Sequence, residues 1–444
     1  MSEMIELLKK IDGLFITPVG DGADEQNAIL SAELPFKVHE YKSGEEHNGW
    51  IVPHKWEVKK ALIKKNGKVI YDGTAHPLGV VGSSLSFRGA VQLSELKKHL
   101  FYKKDAPDRT VYHCDYYYRP WTKDWGFSMP WNFYAKLEEG LYDIELETSH
   151  TKGTMKVLEF RHEGENKNTI VFNSHNCHAA QLNDGPAGYA VFIEAMKKIR
   201  AMKTKWSYSL IIAPEHLGTI FYLANLGKKE IRNFKYGIFM EMVGHDNPRF
   251  ALQESFTGTS YIDKAARHVL RQANPDFWSA PFRKIVGNDE TVWEAPGIEV
   301  PFISLSRCET KDFYYKEYHL DSDNIKIISE KRLRETEDFI MSVVNVFEKD
   351  SFLKRRFEGL LALSNPKYGL YKSPGTDPSI GETGKKAGVK AQWNYLMDCF
   401  PRYLDKNISI LDIAITHDLP FNEVYDYALK FKKKGLVDII SVKP

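Results

Sequence analysis

From Leu141 to about Asp350 the chain alternates short apolar runs with amphipathic helical patterns, and few folds tolerate that rhythm. The runs are Thr169-Ile170-Val171-Phe172, Ser209-Leu210-Ile211-Ile212-Ala213, Tyr236-Gly237-Ile238-Phe239-Met240 and Pro301-Phe302-Ile303-Ser304-Leu305. Helical periodicity covers Gly188–Met202, Leu217–Leu226, Ser260–Ala273 and Glu330–Phe347. Continuous apolar strands joined through helices predict an α/β fold, with a mainly parallel mixed sheet covered by helices on both faces.

The flanks differ in texture. Val38 to Met129 is rich in aromatics, turns and alternating segments such as Trp56-Glu57-Val58 and Lys68-Val69-Ile70-Tyr71, which reads as β-rich. Ser364 to Gly388 carries Pro366, Pro374, Pro378 and several glycines, as an irregular connection does. Beyond it, Asn394–Cys399, Ile408–Thr416 and Phe421–Lys433 are helical, followed by the apolar run Val437-Asp438-Ile439-Ile440; this order resembles a winged helix-turn-helix. The expected division is therefore 1–37 with 131–350 as the main domain, 38–130 as an inserted β-rich domain, 351–387 as a connection, and 388–444 as the winged helix.

A net charge of +2 gives no global field for nucleic acid or an anionic membrane. The four cysteines (Cys114, Cys177, Cys308, Cys399) are too scattered for a disulfide framework, so free thiols and a cytoplasmic location are expected. Met1–Lys10 holds Glu3 and Glu6 in an amphipathic pattern without an apolar core, unlike a signal peptide, and no apolar run is long enough to span a membrane.

Metal-capable side chains recur near strand ends: His175-Asn176-Cys177-His178, Asn183-Asp184, Glu215-His216, Glu241 and Tyr318-His319. Open α/β sheets bind ligands outside the carboxyl ends of their strands, so these segments are expected to converge on one pocket. Imidazoles mixed with carboxylates make hydrolytic Zn²⁺ sites. Glu215 suits the general base beside a metal-activated water, with its neighbour His216 turned toward the metal. Glu241 lies in the apolar run Ile238–Val243, where a carboxylate needs a compensating cation or an arginine partner. Tyr318 could donate to a tetrahedral oxyanion. Taken singly, each segment also fits a blander role: loop histidines, a glutamate at a helix N-terminus, a surface Tyr-His pair.

In order, these motifs resemble the M28-type zinc aminopeptidases, whose pattern is a strand-end His, Asn-Asp, Glu-Glu-x-Gly, Asp-x-x-Gly and a final Tyr-His-x-x-x-Asp. More closely, the chain resembles bacterial proteins with an aminopeptidase-like domain (the DUF4910 and DUF2172 type), through His175-x-Cys177-His178, Asn288-Asp289-Glu290, Pro296-Gly297, Glu317-Tyr318-His319 and Trp125-Gly126-Phe127. The resemblance implies one or two Zn²⁺ ions. By position, His175 and Glu241 would serve one metal, Asp184 would bridge, and His216 and His319 would hold the second. Glu215 would be the base and Tyr318 the oxyanion donor. The chain departs from the pattern at His216, where a Glu is usual, at Glu241, where an Asp is usual, and at Cys177, where an Asp orients the first histidine. His178 is an alternative ligand to His175, or a substrate contact.

The implied activity is hydrolysis of a peptide or aminoacyl-amide bond; Trp121, Trp125 and Phe127 of the insertion either roof the pocket or, in the plainer reading, form the core of the β-rich domain. A second reading is a non-peptidase metal protein acting on an amide in polysaccharide or glycopeptide assembly. A third is a DNA-binding regulator, since Phe421–Lys433 ends in Lys430, Lys432, Lys433 and Lys434. Glu423, Asp426 and the apolar residues of that helix fit packing or self-association better. Steeply salt-dependent DNA binding would support the regulator.

Overall fold

The computed structural model describes residues 2–310, 313–371 and 385–442, and side chains within these ranges except 385–390. They form two compact units, Met1–Ser260 with Trp278–Glu337, and Tyr261–Phe277 with Asp338–Pro444.

The first unit is built on an eight-stranded sheet ordered Lys37–Lys42, Thr154–His162, Ser207–Ala213, Thr169–His175, Phe234–Met240, Phe302–Ser306, Ala251–Gln253 and Trp278–Ala280. The four central strands, from Ser207–Ala213 to Phe302–Ser306, pair in parallel, and antiparallel strands flank them. This is the mixed α/β architecture expected, and the strands Thr169–His175, Ser207–Ala213 and Phe302–Ser306, which hold three of the apolar runs, are buried along their whole length.

Strand side chains alternate between faces. Val171, Ile211 and Phe239 join a core with Leu217 and Phe221 of helix Leu217–Ala224 and with Trp293 and Phe302. Phe172 points the other way and stacks on Phe192 of helix Pro186–Arg200, ring centres 4.9 Å apart. That helix lies so close to the sheet that a Cβ on Gly188 would fall 2.2 Å from the Met240 carbonyl oxygen. Gly188→Ala must move helix or strand; it is expected to lower stability by about 1–3 kcal/mol, read as a drop in the urea midpoint. An unchanged midpoint would mean that the helix yields freely.

A smaller antiparallel sheet runs Lys68–Asp72, Lys55–Lys65, Leu141–Thr151, Phe87–Gln92. It shifts both expected boundaries of the insertion. Lys37–Lys42 is an edge strand of the large sheet, whereas Leu141–Thr151, assigned to the main domain, pairs inside the small one. Local alternation cannot say which sheet a strand joins. Trp125 and Phe127 take the plainer of their two readings and not the roofing role: both are buried in the core of this subdomain with Trp56, Ile63 and Leu146, and Trp125 stacks on Phe87 at 4.5 Å.

His245 follows the Phe234–Met240 strand and is 6% exposed, with Asn183 Nδ2 donating to its Nδ1 at 3.1 Å. Burial, and then the Arg307 charge, push its pKa down to about 4. The unfolded chain takes up that proton near pH 6.5, so the contribution is complete above 6.5 and is lost as pH falls toward 4. It is worth up to roughly 3 kcal/mol. Urea midpoints at pH 7.5 and 5 should fall further for wild type than for His245→Gln; equal falls would exclude His245.

In the second unit, Lys385–Tyr403, Ile410–Thr416 and Phe421–Lys433 are helices. The expected connection is only partly irregular: Ser351–Arg355 is a strand, paired antiparallel with Val437–Ser441, and residues 372–384 of the connection lie outside the described residues. Helix Tyr261–Ala273, expected in the main domain, belongs to this unit. Tyr261 donates to Asp350 at 2.7 Å and Lys264 to Asp412 at 2.6 Å. The four cysteines are free thiols.

Candidate active site

Three of the predicted segments leave adjacent parallel strands. His175 ends Thr169–His175, Glu215 and His216 follow Ser207–Ala213, and Glu241 follows Phe234–Met240. The other two do not sit directly at strand ends. Asp184 comes from the loop between His175 and helix Pro186–Arg200, and His319 from the long loop after Phe302–Ser306. The insertion pins that loop: Tyr112 N–H donates to the His319 carbonyl at 2.8 Å, and Asp321 N–H to the Thr110 carbonyl at 3.0 Å.

The loops place Asp184 at the centre. Its Oδ1 lies 3.2 Å from His175 Nε2 and its Oδ2 3.1 Å from His319 Nε2, while Glu241 Oε2 is 3.0 Å from His175 Nε2. Gly185 makes this turn: its φ of +101° suits glycine, and a Cβ there would strike the His175 carbonyl and ring. Asp323 fixes Asp184 from behind by accepting the backbone N–H groups of Asn183 (2.7 Å) and Asp184 (3.3 Å), with the Tyr315 hydroxyl at 2.6 Å. Asn288 Nδ2 donates to Glu241 Oε2 at 2.7 Å.

Glu215 stands on the opposite side, its side chain 18% exposed. Tyr118 donates to its Oε2 at 3.4 Å, His178 Nε2 lies 3.5 Å from the same atom, and its own N–H donates to Cys177 Sγ at 3.2 Å. Asp289 accepts the His216 N–H and the Thr219 hydroxyl, holding the turn in which His216 adopts φ +53°.

Electrostatically the site is short of positive charge. Hydrogen bonds to Asp184, Glu215, Glu241, Asp289 and Glu290 come from His, Asn, Gln, Thr and Tyr side chains and backbone N–H groups. Burial pushes Glu215 up to about 8, Glu241 up to about 7 and Glu290 up to about 6. Burial also opposes the charged form of Asp184, but His175, His178 and His319 hold its pKa well below the usual range. Burial, then the charge of His175, keep His178 neutral with a lone pair to offer. A cation would relieve the carboxylates.

The donor atoms fit one. Three groups each bring three ligand atoms within 4.8 Å: His175–Asp184–Glu241, His178–Asp184–His319 and His175–Cys177–His178. Asp184 Oδ2 and His319 Nε2 are buried, face each other and make no hydrogen bond, as two lone pairs sharing a cation would. Among the described residues His216 belongs to none of these groups. The acidic trio Glu3, Glu33 and Glu194 already shares a cation, the Lys197 ammonium, at 2.8–2.9 Å from each.

Above the donors opens a cavity of about 610 Å³, lined by Asp184, Glu215, Glu241, His178, His216, Tyr318 and His319. Trp50, Asp115, Tyr118, Arg119 and Trp121 form walls and rim, so of the three aromatics proposed as a roof only Trp121, 60% exposed, reaches the cavity. Every predicted site residue is therefore at this site, with His175 beneath the cavity floor. Tyr112, Tyr118, Asn288, Asp289 and Asp323 were not assigned site roles from sequence. The cluster Asn288-Asp289-Glu290, buried in an otherwise apolar stretch, was the available signal for two of them; Tyr112 and Tyr118 had none.

A curated Clostridium acetobutylicum protein, named for polysaccharide biosynthesis and an aminopeptidase-like domain, is 26% identical over 95% of this chain and 93% of its own. A solved C. acetobutylicum structure named as a peptidase superposes with TM-score 0.80 at 24% identity, covering 99% of this chain and 96% of that one. The zinc aminopeptidase of Bacillus subtilis aligns with TM-score 0.56 at 13% identity, over 77% and 94% of the two chains. The fold is that of the M28-type zinc aminopeptidases. A family model described as a domain of unknown function, DUF4910, matches residues 6–350, and the chain belongs to that family.

Proposed function

We propose that this protein is a metal-dependent hydrolase that cleaves an amide bond in an aminopeptidase-like reaction, with Zn²⁺ as its cation. One observation carries the reading: the two oxygens of Asp184 face two histidine-bearing donor groups, His175 at 3.2 Å and His319 at 3.1 Å. When bound, Zn²⁺ supplies Lewis-acid polarisation of the carbonyl and lowers the pKa of water. Glu215 takes a proton from the attacking water and returns it to the leaving amine. Tyr118 and the Cys177 thiol hold Glu215 in place from the insertion side and from below. Burial keeps the Tyr318 phenol protonated, so its hydroxyl at the cavity wall can donate to the oxyanion.

Metal analysis of the purified protein, with turnover on aminoacyl arylamides, tests this. Bound zinc with turnover is expected, and a protein that takes up no divalent cation would end the reading. A second reading, an acyl amide on a saccharide, is favoured by the name of the C. acetobutylicum relative and by the exposed Trp121 at the rim. Hydrolysis of an N-acyl sugar without turnover of any aminoacyl amide would select it.

A further inference from the structure

We infer that His178, and not His216, stands with Asp184 and His319 in the second of the two donor sets that share Asp184, the first being His175, Asp184 and Glu241. The inference rests on the metal part of the hydrolase reading and replaces the ligand that motif order alone would choose. His178, Asp184 and His319 bring their ligand atoms within 4.8 Å of one another, and the rings of His178 and His319 are centred 5.5 Å apart. His178 is buried, its side chain 4% exposed, and Cys177 Sγ sits 3.3 Å from its Nδ1. That contact occupies one ring nitrogen and leaves Nε2 to bind, the task a supporting group performs for a histidine ligand.

Cys177 thus acquires a role. It stands two residues after His175, whose Nδ1 is buried without a hydrogen-bond partner. The thiol lies close to both imidazoles, 3.3 Å from His178 Nδ1, and is a positioning residue for His178. Tyr112, from the insertion, packs on both rings of the second set, 4.9 Å from His178 and 5.2 Å from His319. His216 is otherwise engaged. Its ring lies parallel to Trp50 at 6.0 Å, at the cavity wall, and its Nδ1 is 3.5 Å from Glu215 Oε1.

The test is zinc stoichiometry of the full chain, stripped with chelator and re-equilibrated by dialysis against Zn²⁺. Wild type is expected to bind two ions, His178→Gln one, and His216→Gln two. Cys177→Ala should weaken the second ion about 10- to 100-fold and the first ion less. Loss of an ion in His216→Gln, retention of both in His178→Gln, or saturation of wild type by a single ion would each overturn the assignment while leaving a metal protein. Wild type that binds no zinc would remove the hydrolase reading as well. Circular dichroism checks folding, and His216→Gln, which alters a cavity-wall ring, decides the question alone should His178→Gln fail to fold.

Discussion

Glu215→Gln is expected to lower kcat on an aminoacyl arylamide by about 10²- to 10⁴-fold, the range general-base catalysis supplies. The replacement keeps the shape of the side chain and an oxygen that can still accept from Tyr118, but no longer carries a proton between water and amine. Zinc stoichiometry should therefore stay at the wild-type value, and KM should change far less than kcat, because only the transition state loses an interaction. Turnover near wild type in Glu215→Gln would transfer the base role elsewhere. Lost zinc would instead make Glu215 a ligand, which its position 3.5 Å from His178 Nε2 makes a real distinction to draw.

Asp184→Ala should have the other large effect, loss of both zinc ions and of all measurable turnover. Each oxygen of Asp184 faces a different histidine, so one substitution empties two donor sets. Its backbone stays anchored, since Asp323 accepts the N–H groups of residues 183 and 184 and does not depend on the side chain. The variant should keep its fold by circular dichroism. One ion retained at full affinity would show that Asp184 does not bridge.

Much of this site was legible in the chain. His175, Glu215 and Glu241 could be found because a buried apolar run ending in a polar side chain is a local pattern, and a glutamate such as Glu241 inside such a run demands a partner. Tyr118 and Tyr112 could not be found that way. Nothing near them in sequence marks a hydroxyl that will meet Glu215, or a ring that will cover His178 and His319. The choice between His178 and His216 was equally hidden: both follow strands, and only the Cys177 thiol behind one ring and Trp50 beside the other separate them.

The sequence by itself determined most of the strands and helices of the main sheet, that its central strands are largely buried, and which side chains are candidates for chemistry, because periodicity and burial are properties of neighbouring residues. Tertiary structure alone decided that Lys37–Lys42 and Leu141–Thr151 exchange the sheets expected of them, that Ser351–Arg355 pairs with Val437–Ser441, and that Tyr261–Ala273 belongs with the second unit. It also decided which imidazoles lie within reach of Asp184, namely His175, His178 and His319. Strand pairing and the meeting of loops are set by contacts between residues distant in the chain, and no local pattern records them.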